Sequence, residues 1–172
     1  IDNKTILDEL TGVVPGIVYM LKSFPDGTHQ YIFVSEGSKE LAELDQKDIL
    51  QDEKSFENLI LKEDLESVLK ADRIAYTQNK KFSSEFRIKT ASGKQKWIYG
   101  ASNRLSKYQK ESIWAGIFID ITQSKEKEKE SRINLLKYKS LFDENPLAIF
   151  HFNEKGIISA ANKRFLSTIG LV

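Results

Sequence analysis

Few side chains in this chain are placed for covalent chemistry. The 172 residues include two histidines, His29 and His151, and no cysteine. Neither histidine has a second one within a helical turn, so there is no helical metal-binding pair, and both read as surface or strand residues. The missing thiol removes disulfides, thiol nucleophiles and cysteine-ligated metals in one step. No glycine-rich phosphate loop occurs, and the acidic residues are dispersed along solvated faces. What remains is binding. Tyr19, Phe33, Leu41, Phe56 and Ile60, joined by Val68, Phe86, Ile88, Trp97 and Tyr99, are apolar or aromatic positions whose only polar atoms are phenols and an indole N–H. Small-molecule sites combine apolar walls with a few such anchors. Taken singly, each residue reads first as ordinary filled core, and strand register can carry Trp97 and Tyr99 to the opposite sheet face.

The elements that would hold these residues follow from periodicity. Residues 82–122 contain three apolar-rich runs, 82–90, 96–105 and 112–121. In the first, Phe82, Phe86 and Ile88 share one face while Ser83, Glu85, Arg87 and Lys89 share the other, the period of a half-buried strand. Ala91-Ser92-Gly93-Lys94 suits a tight hairpin. Residues 106–111 read as a longer polar loop, and 113–121, apolar almost throughout, as a central strand covered on both faces. Upstream, 17–23 and 29–35 read as strands joined by the turn Phe24-Pro25-Asp26-Gly27-Thr28. Residues 36–44 predict a short helix capped by Ser35, 48–60 further helical turns, and 62–79 a longer helix with Leu65, Val68, Leu69 and Tyr76 inward and Ile74 flanking. Near the N-terminus Ile6, Leu7 and Leu10 can share a helical face that Gly12 ends.

Residues 123–132 carry no apolar side chain, yet they are good helix formers, with Glu128 and Arg132 as an acid-to-base pair one turn apart. Ile133, Leu135, Leu136, Tyr138, Leu141 and Phe142 then resume an apolar stripe. A seven-residue frame through Ile121, Glu128, Leu135 and Phe142 has a polar middle, so the packing along it is weak, as suits a signalling helix or a solvated spacer. An internal repeat follows: residues 146–152 parallel 15–21, Lys155-Gly156 stands for Asp26-Gly27, and 158–162 parallel 32–35 with their neighbours.

With these residues in view, Glu85-Phe86-Arg87, Gly93, Trp97, Gly116 and the closing Asp120-Ile121-Thr122 resemble the C-terminal half of a PAS domain, and the resemblance extends over the whole chain. PAS domains are sensory and dimerisation modules common in bacterial signalling proteins. The resemblance implies an α+β fold, a five-stranded antiparallel sheet with helices on one face, over residues 1–122. A linker or signalling helix over 123–140 and an incomplete second PAS domain over 141–172 would follow. Lys62-Glu63-Asp64-Leu65 resembles the turn that opens the family's long helix, although the family often has His-Pro-Glu-Asp there and this chain departs with Leu61-Lys62.

In the family, Asp-Ile-Thr couples the last strand to the outgoing helix. Asp120 is therefore expected to pair with Arg87 or a neighbouring basic side chain, and Thr122 to cap the helix. Flanking helices usually form the dimer, so Ile6, Leu7, Leu10, Leu135 and Tyr138 are the expected contacts of a homodimer. The flavin-binding members that form a cysteine adduct are excluded by the absence of cysteine. Haem-binding members commonly take an axial histidine from the long helix, and 62–79 has none, although Tyr76 can in principle ligate iron. A small organic ligand, or no ligand, is left. The resemblance points to the sensory part of a bacterial histidine kinase, with a cyclic-dinucleotide enzyme as the rival. Any catalysis would belong to an output domain elsewhere in the same polypeptide.

Net charge is +1, so no basic bias suggests a nucleic-acid footprint and that class of partner is not expected. No run approaches a membrane span and no signal peptide is visible. The chain starts at Ile1 and stops at Val172 in mid-pattern, which reads as a piece of a longer protein. A cytoplasmic module is expected, whether or not its parent is anchored in a membrane.

Overall fold

The structure, a computed structural model, describes residue 9, residues 11–108 and residues 111–171. Ile6, Leu7 and Leu10 lie outside the described residues. The chain divides into two compact units, Ile1–Gln123 and Ser124–Val172.

The first unit runs β1 (Ile17–Ser23), β2 (His29–Val34), α1 (Gly37–Leu41), α2 (Gln46–Gln51), α3 (Lys54–Glu57), α4 (Lys62–Gln78), β3 (Phe82–Lys89), β4 (Gln95–Tyr108) and β5 (Glu111–Asp120). The strands form one antiparallel sheet in the order β2-β1-β5-β4-β3. This is the α+β arrangement expected. Local chemistry sets its corners. In the first turn the Gly27 N–H donates to Phe24 O at 3.1 Å, and Asp26 Oδ1 accepts from the Thr28 N–H at 2.9 Å. Gly27 has φ +88°, a left-handed backbone that favours glycine. Helix α4 ends at Asn79, also left-handed, where the absence of a branched Cβ keeps the cost low.

Several local expectations change. Within the polar run expected as a loop, residues 106–108 and 111 are strand: Lys107 pairs with Ser112 and Tyr108 with Glu111, so ladder bonds claim backbone that polarity alone assigned to solvent. Ser35 does not cap α1. Its Oγ accepts the Val18 N–H at 2.9 Å and its own N–H donates to Val18 O at 2.8 Å, which latches the end of β2 to β1. The inner stripe of α4 is Val68, Ala71, Ala75 and, as expected, Tyr76, with Leu65 half-buried and Leu69 and Ile74 exposed; the small residues let the helix sit close to the sheet. Strand β5 is central, but only the face of Ser112, Trp114 and Phe118 is buried, and Ile113, Ile117 and Ile119 are half-buried.

The outgoing helix α5 (Thr122–Asp143) has no buried residue. It runs three residues past the expected end at 140. Leu135 and Tyr138 are exposed on it, and Glu128 pairs with Lys125 at 3.9 Å rather than with Arg132. The second unit continues with a hairpin, β6 (Phe150–Phe152) and β7 (Ile158–Ala161), and the short helix α6 (Lys163–Thr168). Among the described residues no helix is long and apolar enough to cross a membrane.

Candidate functional site

The inner sheet face, α3 and α4 enclose a cavity of about 70 Å³. Its wall is a cluster of rings. Phe118 stacks on Tyr19 (centroids 4.5 Å apart, planes at 24°) and on Phe56 (4.4 Å, 8°), with Phe86 edge-on at 6.0 Å. Tyr31 meets Tyr19 edge-on at 5.7 Å. Offset and edge-on pairs of this kind add to the area they bury. Gly116 makes the arrangement possible: a Cβ there would lie 2.6 Å from Tyr19 Cζ and 2.6 Å from Ser102 Cβ. The bare backbone lets the Tyr19 ring cross β5 and lie beside Ser102. Burial pushes both phenols, Tyr19 and Tyr31, far above their usual range, so both are neutral.

The rim is acidic. Asp72 comes from α4, one turn beyond Val68, and Glu53 and Glu57 from α3 and its approach; His29 and Ser23 close the ring from β2 and β1. Burial pushes the Asp72 carboxyl above its usual range, against the pull of His29 and with a further push from Glu57. Among the described residues no group of three acidic or histidine side chains is placed to hold a metal ion.

Of the pocket residues expected from sequence, Tyr19, Phe56, Ile60, Val68 and Phe86 line the cavity. Leu41 and Ile88 are buried in the core but do not line it. Trp97 and Tyr99 face away: the register pairs Phe86 with buried Ile98 and Arg87 with Trp97, so alternation carries Trp97 and Tyr99 to the outer face. Phe33 is also displaced. The β1–β2 register shifts between Met20 and Leu21, which makes Ile32 an extra residue and turns Tyr31 and Val34 inward instead. The expectation omitted Tyr31, Trp114, Phe118 and Asp72. A step of four from Val68 finds Asp72, and Trp114, Gly116 and Phe118 are same-face positions of one strand. Tyr31 could not be found this way, because a bulge leaves no mark in alternation.

A second constellation joins the cavity helix to α5. Arg87 does not pair with Asp120. Its Nε and Nη2 donate to the two oxygens of Asp64, in the first turn of α4, at 2.8 and 2.6 Å, and the Arg87 N–H adds a third bond at 2.8 Å. The two side chains are largely shielded, at 30% and 17% exposure, and this forked geometry is the strong form of the pair. Hydrogen bonding from Arg87 holds the Asp64 carboxyl below its usual range. The connector before α4 is fixed by the same strand: Leu61 N–H donates to Arg87 O, and Lys89 N–H to Leu59 O. The Arg87 guanidinium lies 5.5 Å from the Trp97 ring centre. Trp97 then grips the exit. Its N–H donates to Thr122 Oγ1 at 2.9 Å and its carbonyl accepts from Ile121 N–H at 2.8 Å.

Thr122 therefore accepts a strand N–H, not one from its own helix. Asp120 is the residue at the helix start, where its Oδ1 accepts the Thr122 N–H at 2.9 Å. The basic partner of Asp120 is Lys96, at 3.6 Å. Lys96 also donates to Glu40 O and Leu41 O at the end of α1, where a cation suits the carbonyl-rich terminus.

The model of a family described as PAS fold matches residues 31–117, just over half of the chain. No curated protein matches. Solved structures do, at low identity. A sensory box histidine kinase/response regulator from Burkholderia thailandensis is 18% identical, with a TM-score of 0.57, over 77% of this chain and 98% of the other. The PAS domain of a Colwellia psychrerythraea protein is 18% identical, with a TM-score of 0.55, over 71% and 99%. The N-terminal domain of a diguanylate cyclase with PAS/PAC sensor from Marinobacter aquaeolei is 15% identical, with a TM-score of 0.53, over 62% and 97%. At such identities the likeness is one of fold.

Proposed function

The chain belongs to the PAS fold family, and we propose that it is the sensory module of a bacterial two-component histidine kinase, passing changes at its inner cavity to α5. The observation that carries this reading is the continuous set of contacts from α4 through Asp64, Arg87 and Trp97 to Thr122. The cavity and the relay share their elements: α4 and β3 contribute Val68, Asp72 and Phe86 to the one and Asp64 and Arg87 to the other. The module itself performs no catalysis in this reading; kinase activity falls to an output domain. The cytoplasm is the setting that suits a chain without cysteine. Residues 141–172 are the start of a second PAS domain in the same proposal, supported by the repeated hairpin and its latch.

A diguanylate cyclase or phosphodiesterase parent is the second reading, supported by the likeness to the Marinobacter aquaeolei domain. A dimerisation or spacer role draws on the exposed side chains of Leu135 and Tyr138 on α5, which suit a homodimer. Asp120→Ala separates relay from spacer. It removes the acceptor at the helix start and the partner of Lys96. A folded domain with altered autophosphorylation of the parent kinase is expected; unchanged output contradicts the relay.

A further inference from the structure

The cavity has a definite electrostatic character. Three carboxylates, Glu53, Glu57 and Asp72, line it together with His29, and no lysine or arginine does. Among the described residues no hydrogen bond satisfies the carboxylate of Asp72. Arg73 and Tyr76 stand in the neighbouring groove, which shares Ser23, His29, Glu57, Leu69 and Asp72 with the cavity and offers a way in. Arg104, half-buried on β4, lies 5.2 Å from the Trp114 ring centre and 5.8 Å from that of Tyr76; its Nη2 donates to Tyr76 O, and its Nε, like the Trp114 indole, has no hydrogen-bond partner. Independently of the acidic rim, Trp114 lines the cavity at 4% exposure with an indole N–H that has no hydrogen-bond partner. An orphan donor in a buried site calls for an acceptor.

We propose that the cavity binds a small organic ammonium compound carrying an acceptor oxygen, its cation held by Asp72 and the ring faces and its oxygen by the Trp114 N–H. Ring faces attract cations, and Tyr31 and Phe56 line the cavity beside carboxylates that would repel an anion. Burial, more than the charge of Glu57, pushes the Asp72 carboxyl upward, and a bound ammonium opposes that push. The volume admits a ligand of only a few heavy atoms. The inference rests on the reading of this chain as a sensor only for what binding does next.

The test is calorimetric titration of the purified chain with ethanolamine, with ethylene glycol and glycolate as neutral and anionic counterparts of similar size. Ethanolamine is expected to bind saturably and at least about tenfold more tightly than either counterpart, since a charge-assisted bond is at stake. Asp72→Asn is expected to weaken it by about tenfold or more, and Trp114→Phe, which keeps an aromatic ring but removes the N–H donor, by a few-fold. Asp72→Asn is half-buried and uncharged, so its fold is checked by circular dichroism. Equal or tighter binding of glycolate, no saturable binding of ethanolamine, or an affinity indifferent to Asp72→Asn would each overturn the proposal. Hydrogen exchange over residues 122–143 with and without ethanolamine keeps the two readings apart. Binding that leaves α5 unchanged upholds the ligand class and counts against the relay. Failed binding alongside a relay that still responds to Asp120→Ala rejects the ligand class alone.

Discussion

The same hairpin occurs twice in this chain, once inside a complete sheet and once without one. The local devices coincide position by position. Val18 and Ser35 exchange the N–H···O bonds that Ile149 and Asn162 exchange in the second copy. Gly27 and Gly156 are both left-handed, each donating to the third residue before it. The register shifts at matching places, Met20/Leu21 and His151/Phe152. Burial does not coincide. Tyr19 is 2% exposed, whereas its counterpart Phe150 is 45% exposed, and Phe152 is 68% exposed. Turn chemistry and the latch thus make the hairpin, while burial is supplied by β5 and the helices packed on the inner sheet face. A two-stranded hairpin is marginal alone. The second copy has a stronger latch to match: Asn162 is fully buried, accepts from Ile149 and Phe165, and donates to Phe142 O and Leu147 O. Ser35 has no amide with which to do the same.

The largest expected effect separates the two copies by burial. Phe118→Ala should cost the first unit about 3–5 kcal/mol in urea denaturation, as a large core ring lost to a cavity. Phe150→Ala should cost the second unit well under about 1 kcal/mol. Similar losses would break the comparison, since they would require the second hairpin to be covered. A smaller effect tests the latch. Asn162→Ala should destabilise the second hairpin by about 2–3 kcal/mol, read as faster hydrogen exchange over residues 149–161, and Ser35→Ala the first by about 1 kcal/mol. The reverse order would show that the extra Asn162 bonds contribute little.

The limits of the sequence reading have physical causes. Strand alternation marked Phe82, Phe86 and Ile88 as inward-facing, and a helical stride marked Val68, because each face there is uniform. It failed at Phe33, where a bulge resets the parity, and at residues 106–108, a polar sequence whose backbone is paired in the sheet. The Asp-Ile-Thr motif located the exit but not its partners. Arg87 lies at one end of β3, and whether it meets Asp64 or Asp120 depends on how α4 docks, a tertiary fact with no local pattern. Asp72 was hidden by its type, a carboxyl on an otherwise apolar stripe.

The central claim is that Arg87 ties the cavity elements to the start of α5. Hydrogen exchange over residues 122–130 in Arg87→Gln tests it most directly, with residues 112–118 as the internal reference. The account predicts that loss of the forked bond to Asp64 and of the cation over Trp97 speeds exchange at the start of α5 by about tenfold, while β5 stays protected. Unchanged exchange at the start of α5, with the Asp64 pair demonstrably broken, would contradict it.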